Sequence, residues 1–273
     1  MFGIGRLKLY LRKRNIRKVH RIHHSKNNTE YSVYGLNNAI PLLSSEKYLI
    51  NNIIIMKGGI ADSNSTIHNY IKLKKYKVNY LSKNDFLSKY SNKHSQGIVV
   101  EFSANIIKEL DINSFLDENI CYIIIDQIND PQNLGQIIRT CECAGVNGII
   151  LPEHESIHIT DRVLQISQGA FLNIDIFVVP NLTRLILDLK KIGFWIIGIE
   201  NSVKADKWYN IDYSKKIGIV FGSEGSGIRR LVKDSCDFLA TIPMKGKVNS
   251  LNISAAVSAI LFERNRQINL EKI

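Results

Sequence analysis

The 273-residue sequence contains no long apolar run, and this absence limits the protein classes to which it can belong. Its longest apolar runs, at 53–56 and 121–125, fall far short of the roughly 18 residues that a membrane-spanning helix needs. The chain has only four cysteines, and they are scattered. Such a set is not a disulfide framework and suits a reducing compartment. The sequence therefore predicts a cytoplasmic protein with no membrane partner.

Signals for metal binding and targeting are also sparse. Cys141 and Cys143 are two positions apart, so on a helix they point to different faces. No Cys or His pair stands at metal-ligand spacing, and no metal is expected. The N-terminus lacks the apolar stretch of a signal peptide, but it is rich in arginine and poor in acids. It is read as a basic tail or RNA-binding arm, with an organellar transit peptide as the alternative.

Acidic residues are scarce at the N-terminus, and the charge is unevenly distributed. The chain has 36 Lys and Arg against 25 Asp and Glu, a net charge of +11. Residues 1–30 carry nine basic residues and one acid, a net +8, and residues 31–103 carry a net +5. Residues 119–273 have 17 basic and 16 acidic residues, a net +1. This imbalance favours nucleic acid or an anionic surface as the partner.

The pattern of apolar segments predicts an α/β protein with two units. Residues 31–103 are interpreted as a small α/β unit, residues 104–118 as a linker, and residues 119–273 as alternating strands and helices. Strands are predicted at 52–56, 78–81, 98–102, 122–125, 148–151, 174–179, 194–199, 218–221 and 238–242. Helices are predicted at 34–43, 66–76, 84–90 and 251–266. Apolar strands spaced by helices are typical of a parallel sheet that is covered on both faces.

The first of three loops that suggest a ligand site covers residues 126–139, directly after a predicted strand. Ligands in parallel sheets bind in such strand-to-helix loops. Asn133 is expected to cap the following helix or to contact a ligand. Gly135 would let the backbone approach a partner closely, and Arg139 would face the same crevice. Taken alone, this loop also fits a capped helix with a solvated arginine.

The second and third loops also follow predicted strands. Residues 221–228 have glycines in a G-x-x-G-x-G spacing, which differs from dinucleotide and P-loop motifs. Glu224 at the centre would repel a pyrophosphate and suits a cationic or hydroxyl-bearing ligand, although a glycine-rich turn is the alternative. In residues 242–254, Ser250 and Asn252 are good capping and ligand-contacting residues. The small apolar helix after them implies close packing against the core or a second subunit.

Together these loops resemble the motifs of the SpoU-type RNA ribose 2'-O-methyltransferases of the SPOUT superfamily. NDPQNLGQIIRT resembles the first family motif, IVFGSEGSGIRR the second and IPMKGKVNSLNISAAVSAILFE the third, in the same order. YGLNNAI resembles the opening of the family's N-terminal substrate-binding domain, so the resemblance covers residues 31–267. The chain is most similar to the bacterial large-subunit rRNA guanosine-2'-O-methyltransferases.

This resemblance implies a fold and partners. Residues 119–273 would form the parallel-sheet SPOUT domain with a deep trefoil knot, and residues 31–103 a small L30e-like α/β domain that binds the RNA substrate. Residues 1–30 would be a basic extension and residues 104–118 a linker. The family acts on RNA as homodimers that share the active site, so large-subunit rRNA and a second copy are the implied partners. A tRNA methyltransferase and a catalytically inactive ribosome assembly factor are the alternatives.

The resemblance also implies a cofactor and site residues. S-adenosylmethionine would be held by Gly222, Ile242 and Leu251, largely through backbone groups. The methyl donor and the target ribose would be surrounded by the implied catalytic residues, which are Asn133, Arg139, Glu224, Ser250 and Asn252. A guanidinium stays protonated in proteins, so we expect Arg139 to position the ribose or its phosphate and not to act as a base. Glu224 would accept a hydrogen bond from the hydroxyl or stabilise the sulfonium.

Overall fold

A computed structural model describes residues 28–90, 95–112, 119–202, 205–223 and 225–270. Nearly all of the predicted basic extension and the predicted catalytic residue Glu224 lie outside these ranges. Within the ranges, none of the helices combines the length and the apolar character that crossing a membrane would require.

The first half of the chain builds a four-stranded sheet with helices packed on it. Its strands are β1 (Thr29–Tyr34), β2 (Leu49–Met56), β3 (Val78–Leu81) and β4 (Ile98–Ala104), arranged in the order β1-β4-β2-β3. Its helices are α1 (Leu36–Ser44), α2 (Ser65–Lys74) and α3 (Lys83–Lys89). The predicted strands and helices of this region are all present, with ends shifted by a few residues.

Strand β1 was not predicted, and it begins inside the predicted basic extension. Its side chains alternate, with Tyr31 and Val33 buried, as expected for a strand that covers a core with one face. It pairs with β4 in antiparallel register, from Thr29 opposite Ala104 to Tyr34 opposite Val99. The period of two is readable in the sequence, but residues 29 and 30 fall within the predicted basic extension, and the first predicted element is the helix that begins at residue 34.

The second half builds an eight-stranded sheet with the order β10-β12-β9-β11-β6-β7-β8-β5. Its strands are β5 (Ile107–Lys108), β6 (Cys121–Asp126), β7 (Gly148–Pro152), β8 (Asp175–Val179), β9 (Trp195–Ile199), β10 (Asp206–Lys207), β11 (Ile217–Gly222) and β12 (Phe238–Thr241). Its helices are α4 (Pro131–Cys143), α5 (Asp161–Ser167), α6 (Leu182–Lys191), α7 (Arg230–Lys233) and α8 (Ile253–Leu270). All of its described pairings are parallel, which confirms the predicted parallel sheet.

Helices cover both faces of this sheet, and strand β6 shows why its sequence is apolar up to its last residue, Asp126. Its six residues are all buried. Ile123 and Ile125 belong to the same core as α4, α5 and α8, whereas Tyr122 and Ile124 belong to the core beneath α6. Because successive side chains point to opposite faces, a doubly covered strand has no position for a solvated residue. The trefoil knot and the domain boundaries stay predictions.

The two sheets pack against each other through α5 and an aromatic cluster. The side chain of Gln165 on α5 accepts a hydrogen bond from Tyr34 N (2.7 Å) and donates one to Tyr34 O (2.9 Å), so it pairs with β1 as a short strand would. Phe102 of β4 stacks on Phe171 with ring centroids 5.9 Å apart. Strand β5, within the predicted linker, pairs with β8. The junction therefore has a defined surface, and a cleft opens along it.

Candidate active site

A cleft of about 390 Å³ lies at the carboxyl ends of β9, β11 and β12. Four predicted site residues line it together, namely Gly222, Ile242, Ser250 and Leu251. The carboxyl ends of parallel strands are where α/β proteins bind ligands. The second and third motifs are therefore brought together as the sequence predicted.

Only glycine fits at position 222 of this cleft without a rearrangement of the loop. A Cβ atom at residue 222 would lie 2.0 Å from the carbonyl carbon of Gly227 and 2.2 Å from its oxygen. The loop folds back on itself here, because Ser223 N donates to Gly227 O (3.1 Å) and Gly227 N donates to Ser223 O (3.0 Å). The glycines thus let two backbone segments touch and turn their remaining polar groups towards the cleft.

The first and third motifs meet in a buried polar network beside the cleft. Asn252 Nδ2 donates to Asn133 Oδ1 at 2.8 Å. The hydroxyl of Ser254 lies 2.6 Å from Asn252 Oδ1 and 2.8 Å from Gln136 Oε1, and its one proton is shared between these two acceptors. Asn133 is 4 % exposed and Ser254 8 %. Asn252 is exposed, but its bonds to Asn133 and Ser254 fix the orientation of its amide, so these side chains are preorganised.

Two capping predictions have different outcomes. Asn133 does not cap α4, because the helix begins at Pro131 and Asp130 is its N-cap, accepting from Gln132 N at 2.8 Å. The prediction that Asn133 caps the helix is therefore wrong. Asn133 lies about one turn after the cap, and its amide belongs to the network with Asn252. Asn252 does cap α8, since its Oδ1 accepts from Ser254 N at 2.8 Å.

Gly135 permits a close approach, but its partner is helix α5. A Cβ atom at residue 135 would lie 2.6 Å from Cβ of Ile166 and 2.9 Å from the carbonyl oxygen of Val163. The glycine therefore serves helix packing within the chain. It places α4 and α5 close enough to share the wall of the junction cleft.

Arg139 lies apart from those predicted catalytic residues of the same chain that the structure describes. It is exposed and lines the junction cleft together with Gln136. Six residues separate it from Asn133, which on a helix is about 9 Å along the axis and about a third of a turn around it. Within the described ranges its guanidinium has neither a hydrogen bond nor an ion pair. A free cation next to a polar cleft is available to a phosphate or ribose.

An ion pair that sequence reasoning missed ties the second motif to the sheet. Asp126, the last residue of β6, is fully buried. Its carboxylate accepts from Arg229 N (2.8 Å), Arg229 Nε (2.8 Å) and Arg229 Nη2 (2.6 Å). An acid at the end of an otherwise apolar strand was the available signal. The pair anchors the glycine-rich loop at its far end.

We expect Arg229→Ala to lower the free energy of unfolding by about 3 kcal/mol, because the buried carboxylate of Asp126 loses its cationic partner. The neighbouring Arg230 is the matched control, since its side chain is 88 % exposed and pairs with Asp234 at 3.6 Å. Arg230→Ala should cost less than about 1 kcal/mol. Urea unfolding at neutral pH measures both, and equal losses for the two variants would contradict the assignment.

Three of the four cysteines, which are buried or half-buried, do not supply a nucleophile. Burial raises the pKa of Cys121 to about 11, and burial together with Asp237 raises the pKa of Cys236 to about 12. Burial also raises the pKa of Cys141. The reactive form of a cysteine is the thiolate, so these side chains stay protonated near neutral pH. The chemistry of the site therefore belongs to its amides, hydroxyls, carboxylates and arginine.

The cleft at the strand ends has a donor and acceptor set that suits S-adenosylmethionine. Glu200 follows β9 and lines the cleft. Its Oε1 pairs with Lys233 at 3.0 Å, and its Oε2 is buried without a hydrogen-bond partner in the described part of the chain. A buried acceptor without a partner favours a ligand with hydroxyl or amino donors. The close backbone approach at Gly222 leaves main-chain groups to hold an adenine or methionine moiety.

The chain matches a known protein family and has relatives over most of its length. The model of the SpoU rRNA Methylase family matches residues 121–262. The TrmH family tRNA/rRNA methyltransferase YacO of Bacillus subtilis is 32 % identical over 241 residues, covering 87 % of this chain and 96 % of YacO. A TrmH family tRNA/rRNA methyltransferase of Staphylococcus aureus is 36 % identical over 222 residues, covering 78 % of this chain and 87 % of the relative.

Solved structures share the fold over most of the chain. The SpoU methyltransferase AviRb of Streptomyces viridochromogenes, in complex with AdoMet, superposes with a TM-score of 0.72 at 20 % identity, covering 87 % of this chain and 90 % of AviRb. An AdoMet-bound rRNA methyltransferase of Sinorhizobium meliloti has a TM-score of 0.73 at 22 % identity, covering 88 % of each chain. With the family match and these relatives, the chain belongs to the SpoU rRNA methylase family and is an S-adenosylmethionine-dependent RNA methyltransferase.

Proposed function

We propose that the protein transfers the methyl group to the ribose 2'-hydroxyl of a guanosine in large-subunit rRNA. The observation that carries the proposal is the hydrogen bond of 2.8 Å between Asn252 and Asn133. It joins the third motif to the first at the rim of the cofactor cleft. Two oriented amides at this position suit a neutral hydroxyl-bearing substrate, because they can both donate to and accept from it.

The chain's residues have separate tasks in this reaction. Bound S-adenosylmethionine would supply a methyl group on a positively charged sulfur, so that the hydroxyl oxygen bonds to the methyl carbon as the carbon–sulfur bond breaks and the hydroxyl proton leaves. Gly222, Ile242 and Leu251 would hold the cofactor, and Glu200 would accept from its hydroxyls. The implied catalytic residues beside it orient the ribose and polarise its hydroxyl; they are Asn133, Glu224, Ser250 and Asn252. The role of Glu224 rests on the family resemblance.

Arg139 completes this site if a second copy of the chain is present. In one chain it lines the junction cleft, whereas the cofactor cleft lies at the strand ends. Helix α8 presents an apolar face to solvent at Ala255, Ala259 and Phe262, which have helical spacing, and Phe262 is 54 % exposed. We propose that this face forms the homodimer contact and brings Arg139 of one copy to the cofactor cleft of the other.

We expect Phe262→Glu to yield monomers with strongly reduced methyl transfer, because a charge in an apolar contact is left without a partner. Sedimentation velocity measures the oligomeric state. Phe238 on β12 is the matched control, since it is also an exposed phenylalanine, at 42 %. Phe238→Glu should keep the wild-type state. A dimer that survives Phe262→Glu would contradict the proposed contact.

The choice of rRNA over tRNA rests on the first half of the chain. A tRNA modifying enzyme of Aquifex aeolicus, TrmH/SpoU, superposes on only 56 % of this chain. The rRNA methyltransferase of Sinorhizobium meliloti covers 88 % of it. The predicted substrate-binding unit, residues 31–103, carries a net charge of +5 and would bind the RNA phosphates. An assembly factor without catalysis is disfavoured by the intact Asn133, Arg139 and Asn252.

The experiment that tests the proposal is a map of 2'-O-methyl positions in total RNA, with and without the gene. We expect one ribose of large-subunit rRNA to lose its methyl group, and the purified protein to restore it with S-adenosylmethionine. Loss of a tRNA methyl group would favour the tRNA alternative. An unchanged map, together with cofactor binding by the purified protein, would favour the assembly factor.

The basic extension gives a separate prediction. Residues 1–27 hold nine basic residues and no acid, and strand β1 starts at Thr29, so deletion up to residue 27 leaves the sheet intact. If the extension binds phosphates, its deletion should weaken RNA binding for all sequences. The salt dependence should also flatten, by about 0.7 log unit for each single-strand phosphate that is no longer neutralised. Fluorescence anisotropy across a salt series measures the slope. An unchanged slope would leave the extension without a role in RNA binding.

A further inference from the structure

The cleft at the junction of the two sheets has a wall of carboxamide side chains. It has a volume of about 340 Å³, which is within the range of ligand sites, about 300–1,000 Å³. Its amides come from four separate stretches of the chain and are Asn37, Asn38, Gln96, Gln136, Gln165 and Gln168. Arg139 contributes the only charged side chain among the described lining residues. This composition differs from that of the cofactor cleft.

The backbone is held in an unusual conformation at two of these amides. Gln96 has φ of 52° and Gln168 has φ of 50°, in the left-handed region that glycine prefers. Both residues line the same cleft although they are far apart in sequence. Such conformations cost about 1–3 kcal/mol each and tend to cluster at functional sites. Gln168 ends α5 as its C-cap, where a left-handed residue terminates a helix, and Gln96 Oε1 accepts from Leu36 N at 2.8 Å. Within the described residues, the amide of Gln168 and the Nε2 group of Gln96 remain available to a ligand.

Asn38 adds an acceptor that has no partner in the described part of the chain. Its side chain is 1 % exposed. Its Nδ2 donates to Tyr34 O at 3.2 Å and to Gln165 O at 3.1 Å, which fixes the orientation of the amide. Its Oδ1 is buried and makes no hydrogen bond. A desolvated acceptor of this kind costs free energy unless a bound N–H or O–H group reaches it.

The cleft is connected to the methyl-transfer residues through α4. Gln136 lines the cleft, and its Oε1 accepts from the hydroxyl of Ser254, which belongs to the Asn133–Asn252 network. Arg139, one turn further along α4, presents its guanidinium to the same space. A ligand here would therefore touch one end of the network that orients the ribose.

We propose that the junction cleft binds the nucleotide to be methylated and reads its base through the amide groups of this wall that make no hydrogen bond within the described residues, chiefly those of Asn37 and Gln168. The inference deepens the proposed function and rests on it. Carboxamides carry both a donor and an acceptor, and such pairs match the edges of nucleobases. Arg139 would hold the adjoining ribose or phosphate. The exposed amides of Asn37 and Gln168, together with the free acceptor of Asn38, would select a base edge with N–H donors, such as the Watson–Crick edge of guanine, in a base turned out of its stack.

The test uses the double variant Asn37→Ala/Gln168→Gly of the full chain. Both side chains are exposed in the cleft, and glycine tolerates the positive φ at residue 168, so the fold should survive. The probe is an RNA fragment containing the mapped methylation site, made with each of the four bases there. We expect kcat/KM for RNA with the preferred base to fall about ten- to a hundredfold. We also expect the difference in kcat/KM among the four bases to disappear. Cofactor affinity should not change.

The exposed amide of Asn173 lies outside the cleft and gives the control variant Asn173→Ala, which should keep both rate and preference. A double variant that keeps its base preference would overturn the inference while leaving the proposed function standing. If the double variant dimerises more weakly but keeps its base preference, the amides belong to a contact between copies, and the inference is overturned as well. If the wild-type protein methylates no ribose, the proposed function is wrong, and the inference that rests on it is wrong as well.

Discussion

Replacement of Arg139 by alanine is expected to slow methyl transfer by about 100- to 1,000-fold, the loss typical of a group that stabilises developing charge. The affinity for S-adenosylmethionine should change little. The reason is that the residues assigned to the cofactor, Gly222, Ile242 and Leu251, line the other cleft, whereas Arg139 is assigned to the ribose or its phosphate. Its guanidinium is free within the described residues, so no ion pair is broken by the substitution. The variant therefore isolates catalysis from folding and from cofactor binding.

Single-turnover rates with RNA and calorimetric titration with S-adenosylmethionine separate these effects. Arg139→Lys should recover only part of the rate, because a lysine keeps the charge but lacks the planar fork that grips a phosphate or ribose. The control is Arg184→Ala on α6, which removes an exposed arginine paired with Asp188. Near-normal single-turnover rates in Arg139→Ala would refute its catalytic role.

Gly222→Ala is expected to abolish detectable cofactor binding. The new methyl group would lie 2.0 Å from the carbonyl carbon of Gly227, and this neighbour is backbone that has no rotamer to change. The loop must open to make room, which breaks the hydrogen bonds between Ser223 and Gly227 and reshapes the wall of the cofactor cleft. Overpacking of this kind also costs about 1–3 kcal/mol of stability or more.

Gly246→Ala is the matched control for Gly222→Ala. Residue 246 belongs to the third motif, has no positive φ, and a Cβ atom there meets nothing within 4 Å. Its variant should bind S-adenosylmethionine as the wild-type protein does. Calorimetry gives the affinities, and thermal unfolding shows whether Gly222→Ala is still folded at the temperature of the titration. Wild-type affinity in a folded Gly222→Ala protein would remove the second motif from the cofactor site.

The larger sheet was predictable because each of its principal strands is apolar throughout. A strand such as β7, buried at all five positions, has a sequence signal that depends on no distant residue. Strands β5 and β10 have two residues each and carry no such signal. They form because a neighbouring strand offers its free edge. Strand β1 had a readable alternation, but its place in the sheet is set by β4.

The candidate site was predictable in its residues and only partly in its arrangement. The glycine loop and the third motif do meet in one cleft. Asn133 was taken for a helix cap, but Asp130 has that position, so the amide is free to bond Asn252. Asp126 and Glu200 carried a usable signal, since each is an acid that directly follows an apolar run, in β6 and β9. Their partners Arg229 and Lys233 are far away in sequence.

The sequence by itself determined the fold class, the order of the principal strands and helices along the chain and the three motifs of the family, because these depend on local pattern and residue type. The uneven charge also follows from the sequence alone. Only the tertiary structure decided that Arg139 faces a different cleft from Gly222, and that amides from four stretches share one wall. The physical reason is that helix packing sets these positions. The close contact of α4 with α5 at Gly135 and the docking of β1 on Gln165 are long-range contacts without a local signature.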